Sequence, residues 1–260
     1  MLRKKGRVLS PRAPRGWLGE PALPVCVRSQ LLFICHLLFV FCYSRFILHH
    51  FTQKLVLASA SPRRSQLLET IGVPFVTAPL EQAEPLPQEA DQAKPQQFVE
   101  RLALYKATHC PLPDLPKPLI ILAADTIVWH NGIILNKPRD KNEAMQMLQA
   151  LRGDWHQVFT GVCLKVLLED GSATELVEHE STKVQFANAP DHWIKQYVAT
   201  GESLDKAGAY AAQGRGATIV QRIEGDYWNI VGLPLARLAR MLSDIGAPLE
   251  SWWREPVQSS

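Results

Sequence analysis

LVLASASPRRSQLL, residues 55–68, runs from a strand through a loop of small residues into a helix start. Leu55, Val56 and Leu57 form a short apolar run of strand character. Ser61 followed by Pro62 places an N-cap residue and a first-turn proline in their preferred positions. A strand that feeds a helix through such a loop leaves backbone N–H groups facing solvent, and these attract anions. Arg63 and Arg64 occupy the first helical turn, where the helix dipole disfavours a cation unless something negative lies beside it. That placement points to a bound phosphate; two arginines solvating a helix end is the plainer alternative.

The rest of the chain expands this βα unit. Pro62 to about Ile71 predicts a helix burying Leu67, Leu68 and Ile71, stopped at Gly72. An acidic, proline-rich connection, Ala78 to Asp91, carries Glu81 and Glu84. Pro95 then opens a helix with Phe98, Leu102 and Tyr105 on one face and Lys106 at its end, where the dipole favours a cation. Leu119 to Leu122 read as a fully buried strand that delivers Asp125 at its end. Asn131-Gly132 is a hairpin signal, and its register makes partner numbers sum to 263. Thr126 should then face Lys137, with the Asp125 carboxylate close to that lysine; a plain structural ion pair is the alternative.

Asp140 and Glu143 form a capping-box-like start to a helix with Ala144, Met147, Leu148 and Leu151 on one face. Trp155 to Leu168 and Thr174 to Phe186 read as a long antiparallel pair turned at Asp170-Gly171. Asn188 and Pro190 open a helix expected to bury Trp193, Ile194 and Tyr197. The glycine-rich run Leu204 to Ala217 follows, where Asp205, Lys206 and Gln213 offer hydrogen bonds beside a backbone that a ligand can approach closely. It is neither a Walker loop nor a dinucleotide fingerprint. Strands are expected at Thr218 to Ile223 and Tyr227 to Val231, then a helix from Pro234 with Leu235, Leu238 and Leu242. The Trp252-Trp253 tail is expected to dock or fray.

Composition sets outer bounds. The chain has 260 residues, 47% hydrophobic and 20% charged, which is globular composition. Its net charge of +3 comes from the leader, for residues 1–50 hold eight Lys or Arg against the single acid Glu20. The remainder is therefore mildly acidic, which argues against a nucleic-acid partner. Cys110 and Cys163 stand isolated, with neither zinc-site nor disulfide spacing, which fits a reducing, cytoplasmic setting. Residues 1–53 form a basic and apolar leader, either a targeting segment or an upstream region read as protein. The apolar stretch Leu31 to Tyr43 is shorter than the ~20 residues a spanning helix needs. No membrane is expected for the domain itself, assigned to 54–246 with a tail at 247–260.

Together the blocks LASASPRR (57–64), AADTIV (123–128), NKPRD (136–140), DKAGAYAAQG (205–214) and VGLPL (231–235) resemble the Maf family of nucleoside triphosphate pyrophosphatases. The resemblance implies a mixed α/β fold of Maf/inosine-triphosphatase type: an elongated β-sheet flanked by helices, two lobes and a central cleft. It implies Asp125 as the proton acceptor that primes water against the α-phosphorus. Arg63, Thr126 and Gln213 match the branch acting on dTTP and UTP, while Ser59, Arg64, Lys106 and Lys137 grip the triphosphate. A divalent cation, magnesium or manganese, is implied at Asp125 and Glu84, and a homodimer is implied by the family alone. A 7-methyl-GTP or other modified-nucleotide pyrophosphatase, or a non-catalytic nucleotide-binding septum regulator, are the alternative readings.

Overall fold

A computed structural model describes residues 55–253, so the expected leader lies outside the described residues. In chain order the elements are β1 (Leu55–Leu57), α1 (Pro62–Thr70), β2 (Phe75–Thr77), α2 (Glu89–Gln92), α3 (Pro95–Thr108), β3 (Leu119–His130) and β4 (Ile133–Leu135). There follow α4 (Lys141–Leu151), β5 (Trp155–Leu167), β6 (Ala173–Phe186), α5 (Asp191–Ala199), β7 (Val220–Glu224), α6 (Tyr227–Val231) and α7 (Leu235–Asp244). The seven strands make one sheet in the order β2-β1-β3-β5-β6-β7, with β4 also paired to β3. The β1 pairings with β2 and β3 are parallel and all others antiparallel.

Strand β3 organises the sheet because both of its faces are apolar. Ile120, Leu122 and Ala124 pack with α1 and α7 in one core, and Val128 on the same face packs with α4 and α5 in another. On the opposite face, Ile121 and Ala123 pack against Ala103 and Ala107 of α3, and Ile127 against its Phe98 and Val99. Each fully buried Leu, Ile or Val side chain in these clusters contributes about 1.5–3 kcal/mol.

Both apolar rows break at the same level. Asp125 and Thr126 interrupt β3, and their partners across the ladder, Gly161 and Thr160, interrupt β5. Among the described residues the break separates the two cores on the first face, and a cleft opens at its level. At this level β3 also has a free edge, since β1 pairs with it through Leu122 and β4 only from Val128 onward.

The hairpin register holds where β4 exists: Val128 faces Leu135, and Trp129 faces Ile134. It does not extend to the expected Thr126–Lys137 pair. Pro138 pushes the chain off the ladder at Lys137 and Gly208 N–H takes the Asn136 carbonyl, so the edge of β3 that would have faced Lys137 stays unpaired at Thr126, whose ladder partner on the other edge is Thr160. Two further expectations are corrected. Tyr227–Val231 is helix, not strand, capped by Asp226 through Trp228 N–H and ended by Gly232 at φ 119°. Trp193 is 49% exposed, because the buried stripe of α5 runs through Ile194, Tyr197 and Val198. At the C-terminal end Trp253 docks, its Nε1 donating to the Ile71 carbonyl at 2.6 Å.

Candidate active site

The cleft holds a cavity of about 280 Å³. Its floor is the free edge of β3; one wall is the β1–α1 loop and the other the glycine-rich segment after α5. Every site residue read from the sequence reaches it: Ser59, Arg63 and Arg64 from the loop, Glu84 and Lys106 from the α3 side. Asp125 and Thr126 come from β3, Lys137 from beyond β4, and Gln213 from the far wall.

Arg64 is the most constrained of these. Its side chain turns back under the loop, 8% exposed. Nε donates to the Gly232 carbonyl at 2.8 Å, Nη1 to Ser59 Oγ at 3.1 Å and Nη2 to Thr126 Oγ1 at 3.2 Å. These partners are a carbonyl and two hydroxyls, all uncharged. Burial lowers the guanidinium's pKa from its ordinary value, opposed by the nearby Asp125 and Glu84 carboxylates. With five N–H donors and three spent here, the group keeps donors and a full positive charge for an anion. Arg63 stands at the cavity mouth with Asp205 3.6 Å away.

The Thr126 hydroxyl has a fixed sense. Thr160 Oγ1 donates to the Asn229 carbonyl at 2.9 Å, so its proton is used. The 2.9 Å contact between the two threonine hydroxyls must then be donated by Thr126. Thr126, which also accepts from Arg64, can offer a ligand only a lone pair.

Lys106, at the end of α3, reaches two carboxylates. Nζ lies 2.5 Å from Asp125 Oδ1 and 2.9 Å from Glu84 Oε1. The base beside Asp125 is therefore Lys106, whereas the hairpin reading expected Lys137. Sequence reasoning also missed Thr160. A hydroxyl alternating with the apolar Val158 and Val162 was the signal that could have found it. Among the described residues no cluster of three or more His, Cys, Asp or Glu is arranged to hold a metal.

Comparison with known proteins shows the family of the chain. Residues 54–245 match the family described as Maf-like protein. The chain is 47% identical over 202 residues to the dTTP/UTP pyrophosphatase of Symbiobacterium thermophilum, covering 76% of this chain and 96% of that one. It is 43% identical over 196 residues to the dTTP/UTP pyrophosphatase of Pelotomaculum thermopropionicum, covering 75% and 97%. Among solved structures, a nucleoside-triphosphatase / dITP/XTP pyrophosphatase from Mycobacterium abscessus aligns with a TM-score of 0.34 at 16% identity, covering 74% of this chain and 97% of that one. With the matched segment spanning every element that lines the cleft, the chain belongs to the Maf family.

Proposed function

We propose that this protein is a pyrophosphatase that hydrolyses dTTP and UTP to the nucleoside monophosphate and pyrophosphate. The observation that carries the proposal is Arg64, a buried guanidinium whose hydrogen-bond partners are all uncharged, set beside the N-terminus of α1. A triphosphate supplies the missing counter-charge, with Arg63, Lys137 and the loop N–H groups as further donors. The names of the two relatives support the choice of dTTP and UTP.

In this reading Asp125 accepts a proton from water as the water oxygen bonds to the α-phosphorus. The bond from that phosphorus to the oxygen bridging to the β-phosphorus breaks, and pyrophosphate leaves with the electron pair. Lys106 holds the Asp125 carboxylate in place through its ammonium contact with Oδ1 at 2.5 Å. Gln213 offers one donor and one acceptor, matching the carbonyl and imide N–H of thymine or uracil.

A divalent cation fits the donor set. Asp125 and Glu84 would hold it through the carboxylate oxygens that Lys106 leaves free, since Lys106 takes only Oδ1 and Oε1, and hard oxygen ligands suit magnesium or manganese. When bound, the ion would offset charge on the triphosphate. The buried free thiols Cys110 and Cys163 support a reducing, cytoplasmic setting, and no described helix is long and apolar enough to cross a membrane. A homodimer is proposed on family membership alone.

The test is initial-rate turnover across a panel of triphosphates, with and without magnesium. Pyrophosphate release from dTTP and UTP that requires the metal is expected. Comparable turnover of 7-methyl-GTP would overturn the substrate assignment, and full activity in EDTA would overturn the metal.

A further inference from the structure

Tyr197 and Glu202 lie outside the cleft, yet together they hold both flanks of the segment that carries Gln213. The Tyr197 hydroxyl accepts the Ala211 N–H at 3.1 Å and donates to Glu202 Oε1 at 3.2 Å. The Glu202 carboxylate in turn accepts the Gly216 N–H through Oε1 at 3.0 Å and the Arg215 N–H through Oε2 at 3.2 Å. One phenol and one carboxylate thereby tie the chain two residues before Gln213 to the chain two and three residues after it.

The neck they close admits no side chain. A Cβ at Gly216 would sit 2.3 Å from the Ala211 carbonyl oxygen and 2.7 Å from Tyr197 Oη, so only glycine allows the two flanks to meet. Residues 212–215 are left as a tip pinned at its base. The bonds that pin it all go to backbone N–H groups, which leaves the Gln213 amide to the cavity.

The protonation states keep the arrangement in one sense. Burial raises the Tyr197 phenol above its ordinary value, so it stays protonated and donates. For Glu202, burial pushes the pKa up, but the Gly216 and Arg215 N–H groups and the Tyr197 hydroxyl outweigh it and hold the carboxyl below its usual range. The side chain is thus an acceptor at neutral pH. Lys206 ties the same corner down, donating to the Glu202 carbonyl and to Asp205, which faces Arg63 across the cleft mouth.

We infer that Tyr197 and Glu202 are positioning residues for base selection: they set the pose of Gln213, and through it the preference among triphosphates, without touching the substrate. The inference rests on the proposal that Gln213 reads the base. An amide discriminates a uracil edge from a cytosine edge only when its donor and acceptor ends are held in place, since a freely turning amide satisfies either pattern.

The test is steady-state kinetics of the full chain with UTP and CTP for Tyr197→Phe, Glu202→Gln, Gln213→Ala and the Glu202→Gln/Gln213→Ala double variant, alongside thermal melts. Both clamp variants are expected to raise KM for UTP about tenfold, leave kcat within about twofold, and reduce the UTP-over-CTP preference. In the Gln213→Ala background, Glu202→Gln should change that preference no further, because the two act through one group. If Gln213→Ala itself leaves the preference intact, the base-reading role falls and this inference with it. A preference lost in Gln213→Ala but intact in both folded clamp variants, or full additivity in the double variant, overturns the clamp alone. Should Tyr197→Phe fail to fold, Glu202→Gln, which keeps one oxygen acceptor, decides the matter.

Discussion

The Lys106 ammonium and the Asp125 carboxylate form a buried ion pair across the level where both apolar faces of β3 break. Asp125→Asn keeps the shape of the side chain and removes its capacity to take a proton, while Lys106 retains Glu84 as a partner. Pyrophosphate release is expected to fall by about 10²-fold or more, with the fold intact by circular dichroism. Wild-type rates in this variant would remove Asp125 from the chemistry.

Thr160 supports the cleft from beneath. Thr160→Val is close in shape but deletes the acceptor for the Thr126 proton and leaves the buried Asn229 carbonyl without its hydroxyl donor. Unfolding free energy should drop by about 1–3 kcal/mol, measured by urea titration. The freed Thr126 hydroxyl can also swing away from Arg64, so KM for UTP should rise. An unchanged KM in a destabilised Thr160→Val protein would confine the residue to a structural role.

Much of the fold is legible locally because its signals are local. Pro62, Pro95 and Asp140 each mark a helix start that the structure keeps, and Asn131-Gly132 sets a register realised residue for residue as far as Leu135. Tyr227–Val231 reads as strand because five residues, four of them apolar or aromatic, are too few to show either period; the Asp226 cap and Gly232 terminator held the information. The Lys106–Asp125 pairing is a tertiary fact. It depends on how α3 crosses the sheet, which the alternation of residues along β3 does not encode. The residues named from sequence motifs all line one cavity, but Thr160 was not among them, and which cation faces which carboxylate could not be read.

The crossing of α3 depends on Gly161. A Cβ there would lie 2.2 Å from the Val99 carbonyl oxygen and 2.8 Å from the Glu100 nitrogen, both backbone atoms that no rotamer change can move. Gly161→Ala must lift α3 from the sheet, and Lys106 with it. A loss of about 3 kcal/mol is expected, lowering Tm by several degrees, with activity reduced even well below the new Tm. A melting temperature equal to that of wild type would show that the helix packs differently in solution.

His156 links stability to pH. Its ring is 2% exposed, with the Phe186 and Tyr210 rings edge-on at 4.8 and 5.3 Å; Nε2 meets Tyr210 Oη at 2.8 Å, and Nδ1 has no partner. Burial, with a smaller push from His130 against a weak pull from Asp154, lowers its pKa from 6.5 to about 3. Between these values the unfolded chain binds a proton that the folded chain does not, so stability is full above about pH 6.5 and declines as pH falls toward 3. One linked proton gives a slope of up to about 1.4 kcal/mol per pH unit. The low-lying carboxyls of Asp91, Asp154 and Glu202 add a loss in the same direction only at more acidic pH. His156→Gln keeps a hydrogen-bonding amide near the Nε2 position and cannot titrate. Comparing urea unfolding of the two proteins at pH 7 and pH 5 should therefore show wild type losing about 2 kcal/mol more than the variant. Parallel pH dependences in the two proteins would mean that His156 takes up its proton equally well folded and unfolded.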